Sequence, residues 1–166
     1  MSGPSDDRPE GFRRVSEALR ERGHAHAPRW LEVSARTSQE AADALGVAVG
    51  QIAKSVIFRR RADDVAVLVV ASGDRRVDEK KVAAIVGPLA RADADFVKAA
   101  TGFTIGGVAP IAHSATPVTL IDRELFRFEV VWAAAGHPNG VFPASPQELV
   151  ALTGAPVSDV AQGGPT

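Results

Sequence analysis

Two apolar runs, separated by only four residues, restrict the possible folds more than anything else in this chain. The first is Ile52-Ala53-Lys54-Ser55-Val56-Ile57-Phe58-Arg59-Arg60 and the second is Val65-Ala66-Val67-Leu68-Val69-Val70-Ala71. Both are short and rich in β-branched residues, so they read as strands. The polar break Arg61-Ala62-Asp63-Asp64 between them reads as the turn of a hairpin.

The remaining elements follow from periodicity and capping signals. Phe12, Val15 and Leu19 predict a first helix that stops near Gly23. Residues 31–36 alternate as a short strand, and Thr37 or Ser38 then caps a helix through Ala41, Ala44 and Leu45 that Gly46 closes. Asp78 opens a helix ended by Gly87-Pro88, and Asp93 or Asp95 opens another through Phe96, Val97 and Ala100. Strands are expected near 118–121 and 128–134. Ser145-Pro146-Gln147-Glu148 supplies an N-cap, a first-turn proline and a capping-box glutamate for a last helix that stops at Gly154. Helices and strands are interspersed without a regular βαβ repeat, so the expected class is mixed α/β (α+β) with a barrel-like sheet, not a doubly wound fold.

A length of 166 residues fits one domain. About 150 residues bury roughly 68–70% of their unfolded surface, enough for a core without metal or disulfide staples. The expected organisation is a loose segment at 1–10, one domain at 11–161 and a loose tail at 162–166. Cysteine is absent, which removes disulfides, thiolate metal sites and cysteine nucleophiles together and fits a cytoplasmic location. The first ten residues lack an apolar core of the signal-peptide kind, and no run approaches the roughly 20 apolar residues of a membrane span. A net charge of −1 argues against bulk, non-specific nucleic-acid binding while leaving room for a local basic patch.

Several common chemistries have no motif here. There is no phosphate-binding Gly-x-x-x-x-Gly-Lys loop, no Gly-x-Gly-x-x-Gly, no His-Glu-x-x-His and no Gly-x-Ser-x-Gly elbow. His24 and His26 lack the further ligands of a metal site. Three features remain. Lys54 shares a strand face with Ile52, Val56 and Phe58, while Ala53, Ser55 and Ile57 face the other way. A lysine there must bend into water, pair with an anion or line a wet pocket. The stretch Thr101-Gly102-Phe103-Thr104-Ile105-Gly106-Gly107-Val108-Ala109-Pro110 is either a plain turn or a tight loop that exposes main-chain N–H groups as an oxyanion hole. In Ala133-Ala134-Ala135-Gly136-His137-Pro138-Asn139, small residues precede a histidine that is a general base, a hydrogen-bond donor or a turn residue. The basic residues Arg59, Arg75, Lys80 and Lys81 are either a solvated face or contacts for a polyanion.

In order along the chain, Gln51-Ile52-Ala53-Lys54-Ser55-Val56-Ile57-Phe58, Ser72-Gly73-Asp74-Arg75-Arg76-Val77-Asp78 with Lys80-Lys81, Gly106-x-x-x-Pro110, Gly136-His137-Pro138-Asn139 and Ser145-Pro146-x-Glu148-Leu149 resemble the YbaK family of aminoacyl-tRNA deacylases. That family includes the insertion domain of bacterial prolyl-tRNA synthetases. The resemblance implies a curved, partly closed mixed sheet with surrounding helices. It also implies hydrolysis of the ester joining a mischarged amino acid to tRNA, without metal or cofactor. By position it matches Lys54 to the family's essential lysine, Gly106 and Pro110 to its substrate loop and His137 to the histidine bordering the aminoacyl pocket. Beside that match, Gly106 and Gly107 are the expected oxyanion donors, Ser55, Val108, Ala135 and Gly136 the expected further lining of the pocket, and Arg59, Arg75, Lys80 and Lys81 the expected tRNA contacts. The implied partner is the acceptor end of an aminoacyl-tRNA, with prolyl-tRNA synthetase or an elongation factor as a transient associate of a monomer or homodimer. Alanyl-tRNA(Pro) is the expected substrate, cysteinyl-tRNA(Pro) the alternative, and a non-catalytic tRNA-binding module or a small-ligand domain the rival readings. Two departures bear on the substrate. The alanine-specific branch often carries asparagine where this chain has Ser55, and the chain has no tyrosine to match the one near the active site of the cysteine-specific branch.

Overall fold

The computed structural model describes residues 7–163. The loose ends expected at 1–10 and 162–166 therefore fall, for 1–6 and 164–166, outside the described residues. Among the described residues five α-helices surround one eight-stranded mixed sheet: α1 (Glu10–Glu21), β1 (Arg29–Trp30), α2 (Ser38–Leu45), β2 (Ile52–Arg60), β3 (Ala66–Ser72), α3 (Glu79–Val86), β4 (Leu89–Arg91), α4 (Ala94–Thr101), β5 (Val118–Asp122), β6 (Val131–Ala134), β7 (Gly140–Ala144), α5 (Pro146–Thr153) and β8 (Val157–Ser158). Single 3₁₀ turns at Val49–Gln51 and Arg123–Arg127 lead into β2 and out of β5. Among the described residues no helix is long and apolar enough to cross a membrane.

The hairpin forms as the two apolar runs require. β2 and β3 pair antiparallel from Ala53↔Ser72 to Arg59↔Ala66. The turn closes through Arg60 N–H to Val65 O at 2.9 Å, and Asp64 takes the left-handed conformation at φ +58°. The sheet then runs β1-β7-β6-β2-β3-β5-β8. The second edge of β2 is divided. Ile52 and Ala53 pair parallel with β6, whereas Phe58, Arg59 and Arg60 pair antiparallel with β4. Between these two ladders the edge has no strand partner among the described residues, so the sheet opens there.

The period-two alternation of β2 and β3 sorts their side chains into separate cores. Ala53, Leu68, Val70, Ile121 and Ala133 pack against Phe12, Val15 and Leu19 of α1, Val97 of α4 and Leu149 of α5. On the opposite face Val67, Val69, Ala71 and Leu120, with Val56 and Phe58 alongside, pack against Val82 of α3. At the start of β2, Ile52 packs with Ala41 and Ala42 of α2. Each Val, Leu, Ile or Phe among these contributes about 1.5–3 kcal/mol when fully buried, and β3 is buried on both faces, which explains its unbroken apolar run. Lys54 thus sits on the face covered by α2 at one end of β2 and by α3 at the other.

The caps hold as the sequence indicates. Thr37 with Glu40 and Ser145 with Glu148 form capping boxes, while Asp78 and Asp93 cap α3 and α4. Two strand expectations need correction. Residues 31–36 form no strand; the pairing lies just before them, in β1, and the segment follows the 137–139 loop through isolated bonds, Leu31 N–H to Asn139 O and Ala35 N–H to Pro138 O. The strand expected at 128–134 begins only at Val131, because residues 128–130 bend away from the 3₁₀ turn at Arg123–Arg127 before the chain joins the sheet.

Candidate functional site

Lys54 enters a cavity of 350 Å³ bounded by the start of α2, the first residues of β2, β6, and the loops around Gly106 and His137. The lysine is half-buried. Burial pushes its ammonium below the usual lysine range, and the Arg76 guanidinium pushes the same way, while Asp122 and Asp74 oppose them. Next to it, Ser55 also lines the cavity, and its buried Oγ has no hydrogen-bond partner. Such a hydroxyl costs about 1–3 kcal/mol if left unpaired.

The glycine loop contributes unevenly. Gly106 lines the cavity at φ +94°, a conformation glycine adopts without strain, and nothing packs against the position where a side chain would begin. Gly107 is buried outside the cavity, and its N–H is committed to Thr104 O at 3.0 Å. It therefore offers no donor to a substrate. Its part is close packing, because a methyl group there would lie 2.8 Å from His137 Cα. Val108, buried and in the lining, takes the place in the loop that the sequence had given to Gly107; among the described residues the N–H groups of Gly106 and Val108 make no internal hydrogen bond. Pro110 is buried away from this cavity and borders a separate one of 440 Å³ with Pro117 and Gly154.

Ala133, Ala134 and Trp132 form the β6 wall, while His137 and Pro138 close the end. Ala135 and Gly136 do not reach the cavity. Ala135 is fully buried in the main core, on the same strand parity as Ala133, and Gly136 abuts the main chain of Gly11. The His137 ring accepts the Asn139 N–H at Nδ1, 3.0 Å away, and stacks on Trp30 with centroids 4.8 Å apart and planes at 30°. Burial lowers its pKa below the usual histidine value.

Beside the lysine runs a polar network that sequence reading overlooks. Asp122, 1% exposed, accepts the N–H groups of Ser72 at 3.1 Å and Glu124 at 2.9 Å, and burial raises its pKa. The Ser72 hydroxyl donates to Gly50 O at 2.6 Å, and Arg127 bridges Ser72 and Asp74. The Arg127 guanidinium holds the Asp74 carboxyl below the usual range. The one hint in the sequence is Ser72-Gly73-Asp74, polar residues that directly follow an apolar strand.

The basic residues expected to meet tRNA are dispersed. Arg59 pairs with Asp64 at 2.6 Å near the hairpin turn, five residues along β2 and roughly 17 Å from Lys54 at strand spacing. Arg75 pairs with Glu124 and Asp74, and Lys81 with Asp159 at 3.0 Å. Lys80 stands exposed on α3. The cations at the cavity are instead Arg36, which lines it, and Arg76, whose charge Lys54 feels. Arg29 lies over the Trp132 ring, 5.4 Å from its centroid. Among the described residues no group of three or more His, Asp or Glu side chains could hold a metal ion.

A family model described as an aminoacyl-tRNA editing domain matches residues 32–152, a span that includes the lysine, the glycine loop and the histidine. The uncharacterized protein YwhH of Bacillus subtilis (strain 168) is 39% identical over 120 residues, covering 72% of this chain and 76% of YwhH. The proline–tRNA ligase of Thermoanaerobacter sp. (strain X514) is 32% identical over 94 residues, 54% of this chain and 16% of the ligase. A crystal structure of a candidate trans-editing enzyme for prolyl tRNA synthetase matches with a TM-score of 0.88 at 42% identity, over 95% of this chain and 100% of that one.

Proposed function

The chain belongs to the aminoacyl-tRNA editing domain family, and from that premise we propose that it deacylates a tRNA mischarged with a small amino acid, alanyl-tRNA(Pro) before cysteinyl-tRNA(Pro). The observation that carries this reading is that Lys54, Gly106 and Val108 line one small cavity, and that among the described residues neither loop N–H is used in an internal hydrogen bond. Likeness to the prolyl-tRNA synthetase editing structure and to part of a proline–tRNA ligase supports proline tRNA as the carrier.

In the proposed reaction a water oxygen attacks the ester carbonyl carbon, and negative charge gathers on the carbonyl oxygen. The Gly106 and Val108 N–H groups face that oxygen, and protonated Lys54 neutralises the oxyanion or the adjacent phosphate. The bond from carbonyl carbon to ribose oxygen then breaks. The ribose oxygen takes up a proton, and a free amino acid and an intact tRNA leave. The ester is labile, so positioning and charge stabilisation supply most of the acceleration. Ser55 and the alanines of β6 form the wall against the amino acid, and a cavity this small favours a short side chain. Specificity by size is what a synthetase pocket lacks, since one methylene is worth only about 1–3 kcal/mol there. Arg36 and Arg76 are the proposed phosphate contacts, in place of Arg59, Arg75 and Lys81.

The test is a panel of proline tRNAs carrying alanine, 2-aminobutyrate, cysteine, serine or proline, with loss of each ester followed over time. Alanyl-tRNA should be cleared fastest and prolyl-tRNA left intact. Lys54→Ala should lower the rate by about 10²–10³. A chain that clears no ester in the panel is a binding module, and the reading fails.

A further inference from the structure

The 136–139 loop is fixed on several sides. Asn139 donates its side-chain amide to Leu31 O at 2.9 Å, and Asn139 O accepts the Leu31 N–H at 2.7 Å. Gly140 N–H returns to His137 O at 2.8 Å, and Gly107 packs against the His137 main chain. The ring itself lies on Trp30, whose ring in turn lies 5.3 Å edge-on from Phe12 and carries the Arg8 guanidinium 4.5 Å from its centroid.

Within that frame the bond from Asn139 N–H to His137 Nδ1 has only one sense. A main-chain amide can donate but not accept, so Nδ1 must present its lone pair. A neutral imidazole whose Nδ1 is bare carries its proton on Nε2. Protonating Nδ1 would set two N–H groups against each other, and burial of the ring also opposes an imidazolium. Among the described residues Nε2 makes no hydrogen bond, and His137 lines the lysine cavity.

We infer that His137 is locked by the Asn139 main chain as a neutral Nε2–H donor, which serves a substrate oxygen and neither takes the attacking water's proton nor receives the substrate's ammonium. The oxygen served is the ester carbonyl or a ribose hydroxyl. That assignment of partner rests on the deacylase reading; the tautomer itself does not.

Two measurements test it. In protein labelled with ¹⁵N-histidine, long-range proton–nitrogen correlation distinguishes bare from protonated ring nitrogens, and the signals lost in His137→Gln identify this ring among the four histidines. Nδ1 should be bare and Nε2 protonated at neutral pH. A proton on Nδ1, in either the other tautomer or an imidazolium, overturns the proposal. In deacylation, His137→Gln keeps an N–H near the Nε2 position and should stay within about threefold of wild type, whereas His137→Ala should lose about tenfold. If Gln falls as far as Ala while the fold persists, the ring acts as a base and the donor role is wrong. If wild type clears no ester at all, the deacylase reading fails, and the nitrogen signals still decide the tautomer.

Discussion

Lys54 has to be charged to act as proposed, yet its surroundings work against the charge. Burial lowers its pKa first and Arg76 adds to that, with Asp122 and Asp74 in opposition. Activity should therefore hold at neutral pH and fall as pH rises through a value below that of an ordinary lysine. Arg76→Ala should move this alkaline limb upward and Asp122→Asn should move it downward, read from rates corrected for spontaneous ester loss. Opposite shifts, or none, would mean that the limb belongs to another group. Because the folded chain holds this proton less tightly than the unfolded one, Lys54 costs stability at neutral pH. Lys54→Met should thus raise the melting temperature by about 2 °C while abolishing turnover. At Gly107 the constraint is steric. Gly107→Ala forces the His137 main chain aside and should cut the rate about tenfold, with circular dichroism showing the fold retained. Lys54 was legible from sequence because a charge interrupted an apolar alternation. The distinct duties of Gly106, Gly107 and Val108 were not, since composition shows that a loop can turn but not which amides it leaves free. Asp122 was hidden for a similar reason: one acid after Val118-Thr119-Leu120-Ile121 looks like a strand end, and only the pairing with β3 places it beneath Ser72.

Among the elements, those with their own local signals were the ones sequence could supply. α2, α3, α4 and α5 start at side-chain caps and β2 with β3 makes a hairpin, so each is specified within its own dozen or so residues. β1 and β8 are two residues long, and β4 is three residues just after Gly87-Pro88; none could show a period. β7 carries Gly140 and Pro143, which both argue against a strand, and it forms because β6 pairs with it from Val131↔Ala144 to Ala134↔Val141. Tertiary contact supplies what propensity withholds. Caps away from the cavity should then matter for stability alone. Ser145→Ala removes the hydroxyl that accepts Glu148 N–H and should cost about 1 kcal/mol, visible as a fall of about 2–4 °C in melting temperature with deacylation unchanged.

For the molecule as a whole, a net charge of −1 means that attraction to RNA is local and confined to a few arginines. If about three phosphates of a single-stranded acceptor end are met, raising salt from about 50 to 200 mM should weaken kcat/KM by roughly twentyfold. A much steeper dependence would point to a broader basic face than Arg36 and Arg76 provide. The mixed sheet was foreseeable from interspersed helices and strands, but the course β1-β7-β6-β2-β3-β5-β8 was not, because strand neighbours distant in sequence leave no local trace. One part of that course has a lasting effect. The strand bearing the amine is an interior one, anchored along its whole length to β3 and at both ends of its other edge to β6 and β4. Loosening it would dissolve two cores at once, so the amides it bonds to β3 should exchange hydrogen only when the entire domain comes apart, and the amine keeps its place through every partial opening of the protein.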